Sequence, residues 1–329
     1  MRLLSAKSAL LATTLLVIAG LCLLGYWFVP VTPSAPVLIE IESGAALSRI
    51  ARQLERQGVV RSAAALKLLA RLRNQSGAVH VGSYRFADPA NPAEILARLV
   101  SGDVEQASLT IPEGFNLQQI SERVAKHKFG DGERFLQLCR DPQLIATLGI
   151  EAASLEGYLF PETYRFTPGI AETELIRMMV QQLLQRLDKQ LLGAAQKQDL
   201  DRHQLLTLAS IIEKETGLAD EMPVISSVFH NRLQRNMPLQ TDPTVIYGIA
   251  DFDGNLTRNH LTTPTPYNTY RFRGLPPGPI ASPGLAALQA AARPAETDYL
   301  YFVSRGDGRH VFSRTLREHN QAVRRFQLQ

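Results

Sequence analysis

Two carboxylates close an apolar helix in Leu205–Gly217, LLTLASIIEKETG. Leu205, Leu206, Leu208, Ala209, Ile211 and Ile212 leave that helix almost no polar face, so it belongs in a core. It ends in Glu213-Lys214-Glu215-Thr216, with Gly217 placed to cap the C-terminus. A carboxyl group there is desolvated and lies in the negative field of the helix end, and both effects disfavour its charged form. A carboxyl that keeps its proton near neutral pH is what general acid catalysis requires. The same residues also fit a solvated last turn, and the stretch alone does not separate the two readings. Glu213 and Glu215 project about 200° apart on a helix, so they cannot face one pocket as a close pair. Glycosidases that use two carboxylates hold them about 5–10 Å apart. A single acid must serve here, or a second must come from elsewhere.

Other chemistry is largely excluded. The chain has no Gly-x-x-x-x-Gly-Lys phosphate loop and no Gly-x-Gly-x-x-Gly, which argues against a nucleotide enzyme. It lacks a Gly-x-Ser-x-Gly elbow and a Ser-x-x-Lys motif, which argues against the common serine hydrolases and penicillin-binding enzymes. The 7 histidines are scattered, with no His-x-x-x-His pair, so no helix-borne metal site is expected. Asp251-Phe-Asp253-Gly254 is too short for a calcium loop and reads as a turn. No cofactor is implied. A net charge of +4 suits an anionic surface or cell-wall polymer, and no Lys/Arg run suggests nucleic acid. Hydrophobic content of 45% with 20% charged residues describes a folded protein of two or three domains.

The N-terminus predicts an anchor. Ala9–Val29 carries no charge, and its 21 residues match the ~20 that cross a hydrocarbon core as a helix. Arg2 and Lys7 precede it and Tyr26-Trp27 mark its far end, which places the N-terminus in the cytoplasm and the bulk outside. A cleaved signal peptide is the competing reading; the segment is long for one and Pro30–Pro36 offers no convincing Ala-x-Ala site. The expectation is a single-pass inner-membrane protein with an extracytoplasmic catalytic part. Of the two cysteines, Cys22 lies in this segment and Cys139 outside it, so no disulfide joins them and the exported part relies on its core.

The elements that must position the acid follow in order. The fold class expected is α+β: a cytoplasmic tail over 1–8, a transmembrane helix over 9–29, and a Pro-rich linker over 30–36. A small LysM-like α+β domain over 37–127 and a larger mixed α+β catalytic domain over 128–329 complete the chain. Within 37–127 a pattern repeats at seventy residues: Ile39-Glu-Ile-Glu-Ser-Gly44-Ala-Ala-Leu47-Ser-Arg-Ile50 aligns with Leu109-Thr-Ile-Pro-Glu-Gly114-Phe-Asn-Leu117-Gln-Gln-Ile120. Each copy reads as a strand, a Gly-containing turn and an amphipathic helix. The unit resembles the LysM-type carbohydrate-binding module, and a plain α+β spacer fits the same pattern. Asn91 and Gly102 bracket a helix over Pro92–Ser101, and Phe129–Leu148 reads as a helical cover for the core. Ser154–Phe166 concentrates Tyr158, Phe160, Tyr164 and Phe166 with Glu156 and Glu162, which suits sugar rings and hydroxyls and suits an aromatic core loop equally. Leu261–Gly284, rich in Pro and Gly, reads as a long structured loop, and loops of that length are usually functional. Tyr299–Val303 and His310–Ser313 read as a hairpin, before a polar terminal helix.

Four motifs then carry a resemblance. Glu156-Gly-Tyr-Leu-Phe-Pro-Glu-Thr-Tyr164, Ala209-Ser-Ile-Ile-Glu213-Lys-Glu-Thr216, Leu239-Gln-Thr-Asp-Pro-Thr-Val245 and Tyr267-Asn-Thr-Tyr270 with Gly274-Leu-Pro-Pro-Gly-Pro279 stand in one order. In this the chain resembles the endolytic murein transglycosylase (YceG-like) family along essentially its whole length. The resemblance implies cleavage of the MurNAc–GlcNAc β-1,4 bond inside peptidoglycan glycan strands, without water and with 1,6-anhydro ends. It implies that Glu213 is the catalytic acid, protonating the leaving oxygen and then taking the proton of the muramyl 6-hydroxyl. Because that nucleophile is intramolecular, one carboxyl can serve both steps. Gln240, Asp242, Tyr267, Asn268, Tyr270 and Glu156 are the expected saccharide contacts, each equally open to a structural role, and Glu215 is read as structural. Peptidoglycan strands, the cytoplasmic membrane and peptidoglycan synthases are the partners implied. A water-using muramidase and a non-catalytic glycan-binding or divisome scaffold are the rival functions.

Overall fold

The computed structural model describes residues 11, 13–15, 17–18, 20–21, 25–42, 44–167 and 169–327. The expected transmembrane helix over 9–29 is corrected: among the described residues no helix is long and apolar enough to cross a membrane. Part of that segment, Cys22 included, lies outside the described residues. The helical residues that are described end at Trp27, where Phe28 and Val29 close a turn on the carbonyls of Gly25 and Tyr26. They do not make up the apolar helix of about 20 residues that a span requires.

The chain divides into two compact units, Met1–Ala107 with Arg165–Pro168, and Ser108–Tyr164 with Gly169–Gln329. The first holds β1 (Val37–Ile41), α1 (Leu47–Arg56), α2 (Ala63–Leu72), β2 (Gly82–Phe86) and α3 (Pro92–Ser101). β1 and β2 are antiparallel, with Val37 opposite Phe86 and Ile41 opposite Gly82. Alternation puts Ile39 and Ile41 on the buried face, where they meet Ile50, Ala51 and Leu54 of α1. Local chemistry sets the ends of α3. The Asn91 side chain accepts from Glu94 N while Glu94 returns a bond to Asn91 N, and Gly102 takes the left-handed conformation beyond the last turn.

The second unit holds Ser108–Thr110 of β3 (Ala107–Thr110), α4 (Leu117–Lys126), α5 (Gly132–Leu138), α6 (Pro142–Thr147), Thr163–Tyr164 of β4 (Thr163–Phe166), α7 (Glu172–Arg186) and α8 (Lys189–Gln196). It continues with α9 (Arg202–Glu215), α10 (Met222–Gln234), α11 (Asp242–Tyr247), α12 (Arg258–Thr262) and α13 (Leu285–Ala292). A hairpin of β5 (Tyr301–Ser304) and β6 (His310–Ser313) precedes α14 (Leu316–Phe326). The helical reading of 129–148 resolves into α5 and α6, because Asp141 caps a new helix and Pro142 occupies its first turn.

α9 is the element around which the unit is packed. Every residue from Leu205 to Ile212 is buried, and α8, α10, α11 and α13 all pack against it. At its N-terminus Asp201 and Gln204 form a capping box. Its C-terminus differs from the sequence reading: Thr216, in extended conformation, is the cap residue, and Gly217 does not take the left-handed turn. The chain therefore leaves α9 straight and does not fold back over its last carbonyls. The final turn, from Glu213 onward, leaves the core, as does the first turn over Arg202–Gln204.

Candidate active site

Glu213 sits half-buried on the last turn of α9, facing the start of α13. Its Oε2 accepts the amide N–H of Gly284, the residue that caps α13, at 2.9 Å. One oxygen is thereby fixed, and among the described residues the other, Oε1, has no hydrogen-bond partner. Burial raises its proton affinity and the Gly284 amide opposes this; the Glu113 carboxylate raises it further, and the Lys214 ammonium lowers it.

The loop that carries Gly284 is bolted to two elements. Ser210 Oγ on α9 accepts Ile280 N at 3.0 Å. Gly114 N donates to Ser282 O at 2.9 Å and Ser282 N to Phe115 O at 2.8 Å, so the turn between β3 and α4 zips onto the loop. Gly114 has a φ of +73°, which a turn at this point requires of it. Gly157 meets the same loop from the other side. A Cβ there would lie 2.7 Å from Pro279 Cγ, so the motif Glu156-Gly157-Tyr158 needs glycine for a close approach. His203 completes the support, with Nδ1 2.8 Å from Tyr158 Oη and Nε2 2.9 Å from Pro277 O. A tyrosine hydroxyl donating to Nδ1 and an Nε2–H donating to the carbonyl satisfy both nitrogens.

Glu215 points elsewhere. It lines a cavity of about 450 Å³ together with Arg232, Gln240, Asp242, Tyr270 and the β5–β6 hairpin. Burial pushes its carboxyl up to about 7; the Thr241 hydroxyl and Arg232 act against this and Asp242 acts with it. Arg232 is a buried cation that holds the wall. Its Nε donates to Leu300 O at 2.7 Å and its Nη1 to Leu239 O at 2.8 Å, joining α10 to β5 and to the segment before α11. Tyr270 Oη donates to Asp242 Oδ1 at 2.6 Å, and Gln240, at a φ of +52°, receives Arg232 Nη1 at 3.3 Å.

Of the residues singled out by sequence, Gln240, Asp242 and Tyr270 are thus brought together around one cavity, and Glu213 does not line it. Asn268 is buried beneath. Its Nδ2 donates to the carbonyls of His260, Leu261 and Thr263, and its Oδ1 accepts Tyr270 N. Tyr267 packs edge-on against Tyr247 with ring centroids 4.8 Å apart. Glu156 is only 5% exposed. Leu117 N donates to both of its oxygens at 3.2 Å, and Tyr247 Oη donates to Oε2 at 3.0 Å. Burial pushes it up to about 7 against those bonds. Among the described residues no group of three or more His, Cys, Asp or Glu could hold a metal ion.

Two acidic residues beside the site were not singled out by sequence as site residues: Glu215 and Glu113. The signal for Glu113 was its place next to Gly114, in a sequence that repeats Ser43-Gly44 with a carboxylate in place of a hydroxyl.

The profile of the YceG-like family matches residues 39–325, which includes every element just described around Glu213. The chain belongs to the YceG-like family. An endolytic murein transglycosylase of Bacillus subtilis strain 168 is 34% identical over 306 residues, 88% of this chain and 84% of that protein. The protein of the same name from Streptococcus pneumoniae strain D39 is 29% identical over 323 residues, 87% of this chain and 58% of that protein. The crystal structure of a YceG-like protein from Listeria monocytogenes matches with a TM-score of 0.61 at 34% identity, over 87% of this chain and 98% of that one. Residues of the YceG-like motifs read from sequence meet one another: Gly157 lies against Pro279, Ser210 accepts from Ile280 just beyond the last motif, and Thr241 N donates to Thr269 Oγ1 at 3.1 Å.

Proposed function

We infer that this YceG-like protein is a peptidoglycan lytic transglycosylase. It cuts glycan strands internally at the MurNAc–GlcNAc β-1,4 bond and leaves 1,6-anhydroMurNAc ends, acting outside the cytoplasm where that polymer lies. The relatives from B. subtilis and S. pneumoniae bear the name of this activity. The observation that carries the chemistry is the setting of Glu213: one oxygen held by Gly284, the other open, and a proton affinity raised by burial.

The reaction then needs one carboxyl. Protonated Glu213 gives its proton to the glycosidic oxygen as the bond from the muramyl anomeric carbon breaks. The resulting carboxylate takes the proton of the muramyl 6-hydroxyl as that oxygen bonds to the same carbon. The acid is regenerated and no water is consumed. An intramolecular nucleophile has a high effective concentration, which removes the need for a second carboxylate to hold a water. Gln240, Asp242 and Tyr270, with their cavity, are assigned to the saccharide chain, and Tyr267, Asn268 and Glu156 to the walls that hold it.

The test is mass spectrometry of products from purified glycan strands, with wild type and Glu213→Gln. Wild type should release fragments one water lighter than hydrolysis products, and the variant should lose about a hundredfold or more in rate. Reducing-end products would identify a muramidase. Equal rates for both proteins would remove Glu213 from the mechanism, and no fragments from either would favour a glycan-binding scaffold.

A further inference from the structure

The turn between β3 and α4 delivers a second carboxylate to the acid. Glu113 lies against Gly284, the residue whose amide binds Glu213. A Cβ built on Gly284 would overlap the Glu113 carboxylate, lying 2.8 Å from its farther oxygen. Gly284 has an ordinary negative φ of −74°, and the atoms crowding its Cβ position belong to the end of the exposed Glu113 side chain, which therefore lies against Gly284. The neighbouring Gly114 packs on the acid directly, its Cβ position 3.6 Å from Glu213 Cγ. Lys214 Nζ donates to Gly114 O at 3.3 Å, which fixes the turn to the end of α9. With the two bonds to Ser282, the turn is held at both ends.

We propose that Glu113 is a positioning residue for the acid: its carboxylate, lying against Gly284, keeps the proton on Glu213 until a glycosidic oxygen arrives. The proposal rests on the assignment of Glu213 as the acid. Like charge beside a carboxyl disfavours ionisation, and Glu113 acts on Glu213 in that direction. The charges that act on Glu213 are Glu113, from the β3–α4 turn, and Lys214, from its own helix. The helices packed on α9 add no charged side chain to it, and α13 contributes only the Gly284 amide. Two features of one carboxyl are thereby reconciled. The Gly284 amide orients Glu213 but favours its charged form, and Glu113 offsets that cost without touching the substrate.

The experiment is a pH profile of anhydro-fragment release by wild type, Glu113→Gln, Gly284→Ala and the double variant. Glu113→Gln keeps shape and removes charge. It should match wild type at acid pH, where Glu213 is protonated in both, and fall about three- to tenfold behind on the alkaline side. Gly284→Ala pushes Glu113 away and should weaken the alkaline side in the wild-type background. It should not shift the profile further once Glu113 is Gln. A Glu113→Gln profile parallel to wild type at all pH, whether equal or lower by one factor, overturns the proposal. Full activity of Glu213→Gln in the same assay would instead overturn the functional reading, and the pairing with it.

Discussion

Gly284 N donates to Glu213 Oε2 at 2.9 Å, joining the N-cap of α13 to the last turn of α9. This bond sets the reach of the acid. Shortening the side chain by one methylene in Glu213→Asp keeps a carboxyl but cannot satisfy both Gly284 and a substrate oxygen. Misplacement by about 1 Å costs on the order of a hundredfold in rate. Glu213→Asp should therefore lose about that much in strand cleavage with an unchanged melting temperature. A variant within twofold of wild type would show that the bond does not position the acid.

Tyr270 and Asp242 form the short polar contact of the cavity wall. Tyr270→Phe leaves the ring and removes the hydroxyl that orients the Asp242 carboxylate. If that pair grips saccharide, KM for glycan strands should rise about tenfold, the worth of one bond to a charged group, with a smaller change in kcat. A kcat loss at constant KM would place Tyr270 in the chemical step and not in binding.

Asn268 Nδ2 shares its two hydrogens among three loop carbonyls, with 2.7 Å to Thr263 O the shortest. Asn268→Ala leaves those buried acceptors short of donors, at a cost of about 1–3 kcal/mol. Thermal denaturation should show the loss. Activity should fall with it, because Tyr270 N rests on the same side chain.

How much of this was legible beforehand depends on the range of the interaction. The caps at Asn91 and Gly102, the break at Asp141-Pro142 and the burial of Leu205–Ile212 follow from neighbours in sequence, and the chain shows them plainly. The separation of Glu213 from Glu215 also follows from helix geometry alone, and the structure places them against different surroundings. Contacts across the fold carry no such signal. Glu113 meets Gly284 only because the β3–α4 turn zips onto the loop at Ser282, and nothing near either residue announces the other. The apolar run over 9–29 misled for a related reason: hydropathy reports that a segment could span a membrane, while among the described residues no helix is long and apolar enough to do so. Gly217 misled locally, since Thr216 leaves the helix in an extended conformation before a glycine is needed.

Glu156 yields a prediction about stability. Its ordinary value of 4.5 is pushed up to about 7 by burial, despite the N–H of Leu117 and the hydroxyl of Tyr247. The folded state therefore holds a proton that the unfolded chain releases. Between 4.5 and about 7 the native protein binds more protons, so this group's contribution falls as pH rises through that window. The sign is opposite to that of a salt-bridged carboxylate, whose contribution grows as pH rises toward its ordinary value and is constant above it. Glu215, also raised to about 7, acts in the same direction and remains in the variant. Glu156→Gln supplies a permanently neutral side chain that still accepts from Tyr247. Its melting temperature should match wild type near pH 5 and exceed it near pH 8, so that the drop between the two pH values shrinks but does not vanish. A variant less stable than wild type at pH 8 would mean that the ionised carboxylate, bound to Leu117 and Tyr247, is the form the fold prefers.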